Sequence, residues 1–153
     1  MFGKSFGISG LVAAMALAAC GGGGSAANGG LYGGPPPTGP SSSNVPIQQT
    51  VAGQPAFVNP SSHHTLYFLD VDTATGAGCT GGCLSVWLPI VPSSGATAQG
   101  GFTMITRSDG TGMQWAYKTH PLYTYTGDSG PDQAHGNGIP FNGGHWHVAR
   151  PTN

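Results

Sequence analysis

The sequence predicts a mainly β fold, a compact antiparallel β domain with two related repeats and at most one short helix. Three observations predict it. Short runs rich in β-branched and aromatic residues alternate with clusters of turn residues. No segment carries a long apolar stripe with helical period. Two segments in different parts of the chain resemble each other. With 153 residues, part of which reads as a signal and a linker, the chain has room for one such domain.

The first element is a predicted signal peptide over residues 1–19. Lys4 supplies a positive charge, and residues 6–17 form an apolar run of about a dozen residues, too short for the ~20 that a membrane-spanning helix needs. Leu17-Ala18-Ala19-Cys20 then resembles a bacterial lipobox, which implies cleavage before Cys20 and a lipid on its thiol. The alternative is an ordinary secretory signal cleaved at a nearby Ala, which leaves Cys20 as a free thiol.

Residues 20–44 are predicted to be a tether between the lipid and the domain. Gly, Pro and Ser dominate this stretch, which has almost nothing to bury and cannot offset the entropy of ordering itself. Gly21, and not Asp, follows the cysteine. In a Gram-negative host this pattern resembles the signal for the outer membrane. The β-rich domain is therefore expected over residues 45–153, held at a membrane by the N-terminal lipid anchor.

The β domain is predicted from six runs bounded by Gly, Pro, Asn, Asp or Ser. Ser108-Asp109-Gly110 separates two of them and is a strong hairpin signal, because Asp and Gly tolerate positive φ. The one helical candidate is 82–87, which ends before Pro89. The predicted strands are 51–58, 65–71, 102–106, 113–117, 122–125 and 146–149.

Two of these runs form an internal duplication about 56 residues apart. Each places a tyrosine, a large side chain two residues later and an aspartate five residues later. On a strand the first two share a face, so both are predicted to point inward, and the aspartates are predicted to cap backbone amides in the turns that follow. The two sets are Tyr67, Leu69 and Asp72, and Tyr123, Tyr125 and Asp128.

Three cysteines are present, and lipidation of Cys20 leaves Cys79 and Cys83. The Thr-Gly-Gly between these two gives a backbone able to bring their α-carbons within disulfide reach, so a disulfide is predicted in an oxidising compartment. The alternative is copper or redox chemistry, since soft thiolates suit Cu(I).

These residues together resemble a known family, the secreted-repeat lipoproteins of unknown function, whose members carry a Y-x-aromatic-x-x-D motif. Residues 123–128 fit the motif in full, whereas residues 67–72 depart from it by placing Leu69 at the aromatic position. The cysteine loop, Phe102 to Gly110, and Trp146-His147-Val148 agree with the family in order and spacing. The resemblance implies an extracytoplasmic location and a compact β-rich domain, and it carries no established activity.

Six histidines form the remaining set of candidate ligands. His145 and His147 flank Trp146 and share one face of a strand, so copper or zinc could bind between their imidazoles. The alternative is that both are half-exposed strand residues beside a buried Trp. His63, His64 and His135 are interpreted as loop residues.

The sequence excludes some functions and leaves others open. Only 6% of the residues are charged and the formal net charge is −1, so nucleic acid is not an expected partner. Without a nucleophile elbow and without Glu, an enzyme is not expected either. The leading hypothesis is a lipid-anchored, non-enzymatic binding or structural module with a protein or small-ligand partner and no cofactor. The alternative is metal or redox handling through Cys79, Cys83 and the histidines, with Met104 or Met113 as further soft ligands.

Overall fold

The computed structural model describes residues 44–153. This part of the chain contains ten short β-strands and one short 3₁₀ helix, Gly81–Ser85, and the prediction of a mainly β domain is confirmed. No helix in this part of the chain is long and apolar enough to cross a membrane. The strands are β1 (Ile47–Val51), β2 (Gln54–Val58), β3 (Leu66–Leu69), β4 (Trp87–Pro89), β5 (Phe102–Thr106), β6 (Met113–Tyr117), β7 (His120–Pro121), β8 (Tyr123–Tyr125), β9 (Pro140–Phe141) and β10 (Gly144–Val148).

Two hairpins, β1–β2 and β5–β6, occupy equivalent places in the two halves of the domain. The β5–β6 turn confirms the hairpin signal at Ser108–Gly110, where Gly110 has φ 74°. The single strand predicted over 51–58 is wrong. Ala52 and Gly53 have φ of 48° and 76°, so the chain turns there and divides the segment between β1 and β2. Positive φ at two successive residues is the geometry of a tight hairpin turn.

The helix predicted over 82–87 is corrected in both length and type. A 3₁₀ helix covers only Gly81–Ser85, and Trp87 lies in strand β4, which the sequence reading missed. The ring of Trp87 is almost fully buried. Tertiary packing of this ring therefore outweighs the local tendency of the preceding residues to turn.

The central sheet has five antiparallel strands in the order β4-β8-β3-β10-β9. The central strand β3 and its neighbour β8 carry the two tyrosine motifs, and Tyr67 lies directly opposite Tyr123. Each motif strand takes its outer neighbour from the other half of the chain, because β10 pairs with β3 and β4 pairs with β8. The two halves thus exchange strands.

The duplication predicted from the sequence extends over the whole described domain. Residues 47–90, here repeat 1, and residues 102–149, here repeat 2, run through the same series of a hairpin, a motif strand, a loop and an exchanged strand. Backbone hydrogen bonds across the repeats come in matching pairs. Trp115 N–H donates to Ile90 C=O and Phe57 N–H to Ala149 C=O, both at 2.8 Å; Ile90 N–H donates to Leu122 C=O at 3.1 Å and Ala149 N–H to Leu66 C=O at 2.8 Å.

These pairs describe an approximate twofold axis that passes through the Tyr67–Tyr123 pair. The sheet separates two apolar clusters, because successive strand residues point to opposite faces. One cluster contains the motif tyrosines, Trp87 and Trp146. The other contains Phe57, Leu66, Phe68, Trp115 and Leu122. Each cluster draws on both repeats, so neither repeat has a core of its own.

Candidate functional site

The motif tyrosines and aspartates meet at the centre of the domain, and they do so between the repeats. Tyr67 of repeat 1 donates its hydroxyl to Asp128 of repeat 2 at 2.6 Å. Tyr123 of repeat 2 donates its hydroxyl to Asp72 of repeat 1 at 3.1 Å. All four side chains are buried. The sequence placed a tyrosine and an aspartate in each copy, and the structure joins each tyrosine to the aspartate of the other copy.

The second oxygen of each aspartate accepts a backbone amide from the loop that follows its strand. Gly78 N–H donates to Asp72 at 2.6 Å, and His135 N–H donates to Asp128 at 3.0 Å. The prediction that the aspartates cap backbone amides is therefore confirmed. A Cβ at Gly78 would lie 2.7 Å from the Asp72 carboxylate, so this position needs glycine for close approach.

The surroundings of the two phenols raise their pKa values. Burial, reinforced by the Asp128 carboxylate, raises the pKa of Tyr67 well above its usual value. Burial and the charge of Asp72 raise the pKa of Tyr123 to about 12. Burial also raises the pKa of Asp72, against the hydrogen bonds that it accepts from Gly78 and Tyr123. The tyrosines therefore act as hydrogen-bond donors at neutral pH.

Repeat 2 adds a buried cation, Arg107, to one of the two contacts. Its guanidinium donates to the carbonyl of Cys79 at 2.7 Å, to Gln114 at 2.5 Å and to the Tyr123 hydroxyl at 3.4 Å. Asp109 in the β5–β6 turn forms an ion pair with it at 2.5 Å. Hydrogen bonds from Arg107 and Thr111 lower the pKa of Asp109 strongly. Through Arg107, a network of hydrogen bonds thus connects Asp109 in the turn to Tyr123 of the motif.

The exchanged strands bring the two tryptophans together. The rings of Trp87 and Trp146 are stacked, with centroids 3.8 Å apart and planes 8° apart. Each also meets a motif tyrosine edge-on: Trp87 meets Tyr67 at 5.5 Å, and Trp146 meets Tyr123 at 5.0 Å. Aromatic pairs of this kind add about 0.5–1.5 kcal/mol beyond the area that they bury.

The third motif position differs between the repeats. Tyr125 stacks on Trp87 with centroids 4.5 Å apart, whereas Leu69 is fully buried beside Trp146. Both side chains lie next to the tryptophan of the exchanged strand, which confirms their inward direction. Phe141 approaches the Trp146 ring at 6.3 Å, so an aromatic neighbour is supplied there from β9.

Cys79 and Cys83 form a disulfide with Cα atoms 5.3 Å apart, in agreement with the sequence prediction. The bridge closes the loop between Asp72 and β4, and Cys79 is fully buried. Both sulfurs are held in the bridge, so neither is a thiolate ligand in this state.

His145 and His147 lie on one face of β10, as predicted, and each contacts Asp70. The N–H of His145 donates to Asp70 at 2.8 Å, and the His147 ring is 3.2 Å from the same carboxylate. These contacts lower the pKa of Asp70, the backbone N–H of His145 most. His145 is exposed, His147 is half-exposed, and Trp146 between them is buried. Within residues 44–153, no group of three or more His, Cys, Asp or Glu side chains is placed to hold a metal ion.

The other predicted candidates lie apart from this pair. His63 contacts Gln49, and Nδ1 of His135 lies 3.2 Å from the Asp128 carboxylate while most of the His135 side chain is exposed. His120 packs against the ring of Phe68. Met113 is exposed and Met104 half-buried against the second apolar cluster. Cys20 and residues 1–43 lie outside the described residues.

A shallow cavity of about 330 Å³ lies where the β1–β2 hairpin meets the C-terminal residues. Gln48, Gln54, Pro55, Arg150, Pro151 and Thr152 line it. The guanidinium of Arg150 donates to the carbonyl of Pro55 at 2.9 Å and forms part of its wall. The volume is at the lower end of the range for small-molecule sites.

The comparison with known families agrees with this architecture. Residues 103–150 match a secreted repeat of unknown function. The matched segment covers almost all of repeat 2, so it corresponds to one of the two structural repeats. The resemblance found in the sequence is therefore confirmed over this secreted repeat, and its family implies an extracytoplasmic location. No curated protein and no solved structure matches the chain.

The sequence reading missed the exchange between the repeats and the role of Arg107. One signal for Arg107 was available, because the chain has only four Lys and Arg residues and this one precedes a turn aspartate by two positions. No local signal existed for the tryptophan stack, since Trp87 and Trp146 are brought together by pairing with β8 and β3.

Proposed function

We propose that the protein is a lipid-anchored module of the cell envelope that acts by binding or by structural support and not by catalysis. One observation carries the proposal. The side chains whose chemistry best suits catalysis are buried and bonded to other groups of the protein. They are Asp72, Asp128 and Arg107. A catalytic carboxylate has to reach a substrate, and these do not face solvent.

The location proposed for the module is the outer face of the inner membrane or, in a Gram-negative host, the outer membrane. The lipobox-like Leu17–Cys20 sequence and the match to a secreted repeat support it. Two or more acyl chains on Cys20 would hold the protein durably, because each buried methylene contributes ~0.8 kcal/mol. The partner is a protein or a small ligand, for which the cavity beside Arg150 offers one place.

Labelling with radioactive palmitate tests the anchor. We expect the wild-type chain to incorporate the label and to sediment with membranes, and the Cys20→Ser variant to lose both properties. The matched control is the Cys79→Ser/Cys83→Ser double variant, which also lacks cysteines but should keep the label. Incorporation of palmitate by Cys20→Ser would show that the lipid is not on this residue and would refute the proposal.

A further inference from the structure

Arg150 is half-buried in the wall of the cavity between the β1–β2 hairpin and residues 150–152. Its Nη1 donates to the carbonyl of Pro55 at 2.9 Å, and Pro55 lines the same cavity, so this bond holds the guanidinium there. Nε and Nη2 form a second edge of the guanidinium, and within residues 44–153 neither of them donates a hydrogen bond. One edge of a positioned cation is therefore open to a ligand.

The charge of Arg150 has no carboxylate beside it in the described part of the chain. Within residues 44–153, every close contact between a carboxylate and a basic side chain involves Arg107 or a histidine. Asp132 accepts the N–H of Ala52 at 2.7 Å at the hairpin turn and does not line the cavity. None of the lining residues is acidic. An anion that enters the cavity therefore meets a cation in its wall and no carboxylate.

Arg107 shows what the second edge of a guanidinium binds in this protein. Its Nη1 donates to a neutral oxygen, that of Gln114, at 2.5 Å. Its Nε lies 3.1 and 3.2 Å from the two oxygens of Asp109, and its Nη2 donates to the same carboxylate. Such paired bonds between an arginine edge and a carboxylate are stronger than bonds between neutral groups. Arg150 repeats the first half of this arrangement, with the Pro55 carbonyl as the neutral oxygen.

The fold does not require polar side chains at the cavity. Gln48 and Met104 occupy the same hairpin position, opposite the residue whose N–H donates to the other repeat. Arg150 and Val91 also correspond, because each directly follows the residue that bonds to the other repeat through both its N–H and its carbonyl. Apolar side chains thus stand at the positions related to Gln48 and Arg150 by the twofold axis. The polar character of the cavity belongs to this sequence and not to the architecture.

The rest of the cavity wall combines apolar rings with neutral polar groups. Pro55 and Pro151 contribute ring carbons. The side chains of Gln48, Gln54 and Thr152 also line the cavity and form no hydrogen bond to another of the described residues, so their amides and hydroxyl can bond a ligand. The volume, about 330 Å³, suits a small molecule and not a large one.

We propose that the cavity binds a small organic carboxylate. The carboxylate lies on the Nε and Nη2 edge of Arg150, and the apolar body of the ligand packs against Pro55 and Pro151. The proposal rests on the binding role proposed above and names the class of its ligand.

Nuclear magnetic resonance of the acylated full chain in detergent micelles tests the proposal. Arg107 and Arg150 are the two arginines of the chain, so the Nε–H signal of Arg150 reports on the cavity and that of Arg107 is an internal reference. Benzoate, a carboxylate on an apolar ring, is compared with benzamide, which has the same ring without the charge. Affinity is also followed at the side-chain amides of Gln48 and Gln54, and palmitate incorporation is measured on the same preparations.

We expect benzoate to shift the Nε–H signal of Arg150 saturably and to leave that of Arg107 in place. Benzamide should bind about tenfold more weakly or less, and Arg150→Gln should lower the affinity for benzoate by about tenfold or more. The matched control is Lys118→Gln, which removes the same charge from a side chain that bonds to the carbonyl of Asn153. Its affinity for benzoate should stay within about twofold of the wild type.

The inference is overturned by equal affinity for benzoate and benzamide, or by unchanged affinity in Arg150→Gln. An equal loss in Lys118→Gln would overturn it too, since net charge and not the arginine edge would then hold the anion. Palmitate-labelled protein that does not bind benzoate would refute this site and leave the anchored module standing. Benzoate binding by protein without palmitate would instead support the site and refute the anchor.

Discussion

The two tyrosine–aspartate contacts share one geometry but have different surroundings. At Tyr123 and Asp72, the buried guanidinium of Arg107 donates to the phenol. At Tyr67 and Asp128, the position equivalent to Arg107 is Val51, which forms the final residue pair of the β1–β2 hairpin. Val51 packs in the same apolar cluster as Tyr67. Asp128 instead meets the exposed ring of His135.

Some features of the fold occur in both repeats, and others occur on one side only. The exchanged strands, the tyrosine–aspartate hydrogen bonds and the stacked tryptophans occur in both repeats, so they define the shared architecture. The buried ion pair and the disulfide belong to one side only. The shared contacts hold the repeats together, and Arg107 adds one more contact between them through the carbonyl of Cys79.

Replacing Arg107 and the equivalent Val51 should give the largest difference in unfolding free energy. Arg107→Ala leaves Asp109, Gln114 and the Cys79 carbonyl without their donor, and we expect a loss of about 3–5 kcal/mol of unfolding free energy. Val51→Ala at the equivalent position removes two methyl groups and should cost about 2 kcal/mol. Urea unfolding of both variants measures the difference. Equal losses would mean that the polar group around Arg107 contributes no more than an apolar side chain does.

The disulfide should contribute less than the ion pair. Its closed loop is short, so the chain-entropy relation gives a contribution of about 2 kcal/mol. The Cys79→Ser/Cys83→Ser variant is therefore expected to fold with unchanged far-ultraviolet circular dichroism and to melt at a lower temperature. Its Trp87–Trp146 stack should persist in the near ultraviolet. Collapse of the near-ultraviolet signal would show instead that the bridge is needed to position β4.

The pH dependence should have opposite signs at two carboxylates. The folded-state pKa of Asp72 is raised by burial, so its contribution is most favourable below the unfolded pKa of ~4 and is lost as the pH rises through the folded value. Asp109 has a lowered folded-state pKa, so its contribution is present above ~4 and is lost as the pH falls.

Stability of the wild type is therefore compared with that of Asp72→Asn and Asp109→Asn between pH 3 and pH 7. As the pH rises, the unfolding free energy of the wild type should fall relative to that of Asp72→Asn. It should rise relative to that of Asp109→Asn. Parallel curves for the two variants would contradict the assignment of these shifts.

The smallest effect is expected at the histidines of β10. His145→Ala and His147→Ala alter exposed or half-exposed side chains, so each should change the unfolding free energy by less than about 0.5 kcal/mol. Calorimetry with Zn²⁺ and Cu²⁺ should find weak binding at most, because two imidazoles on one strand supply only half of the about four ligands that a durable site needs. Tight, stoichiometric binding that both variants abolish would establish a metal site here.

Local sequence patterns predicted much of the fold. Alternation and turn residues located β5, β6 and their hairpin, and cysteine spacing predicted the bridge between Cys79 and Cys83. The same alternation concealed the turn at Ala52–Gly53, because apolar residues stand on both sides of it. A glycine inside a β-like run was the available signal.

The centre of the domain was beyond such patterns. The duplication revealed two equivalent motifs. The spacing of residues in the sequence does not predict whether Tyr67 contacts the aspartate of its own repeat or that of the other repeat. Strand pairing decides this point, because β3 and β8 lie antiparallel with Tyr67 opposite Tyr123. Pairing depends on packing between segments far apart in the chain, as the stack of Trp87 on Trp146 illustrates.

Double-mutant cycles at the motif test whether reciprocal contacts hold the repeats together. One cycle combines Tyr67→Phe with Asp128→Asn, which lie in different repeats, and the other combines Tyr67→Phe with Asp72→Asn, which lie in the same repeat. We expect a coupling of about 1–2 kcal/mol in the first cycle and less than about 0.5 kcal/mol in the second. A larger coupling within repeat 1 than between the repeats would contradict it.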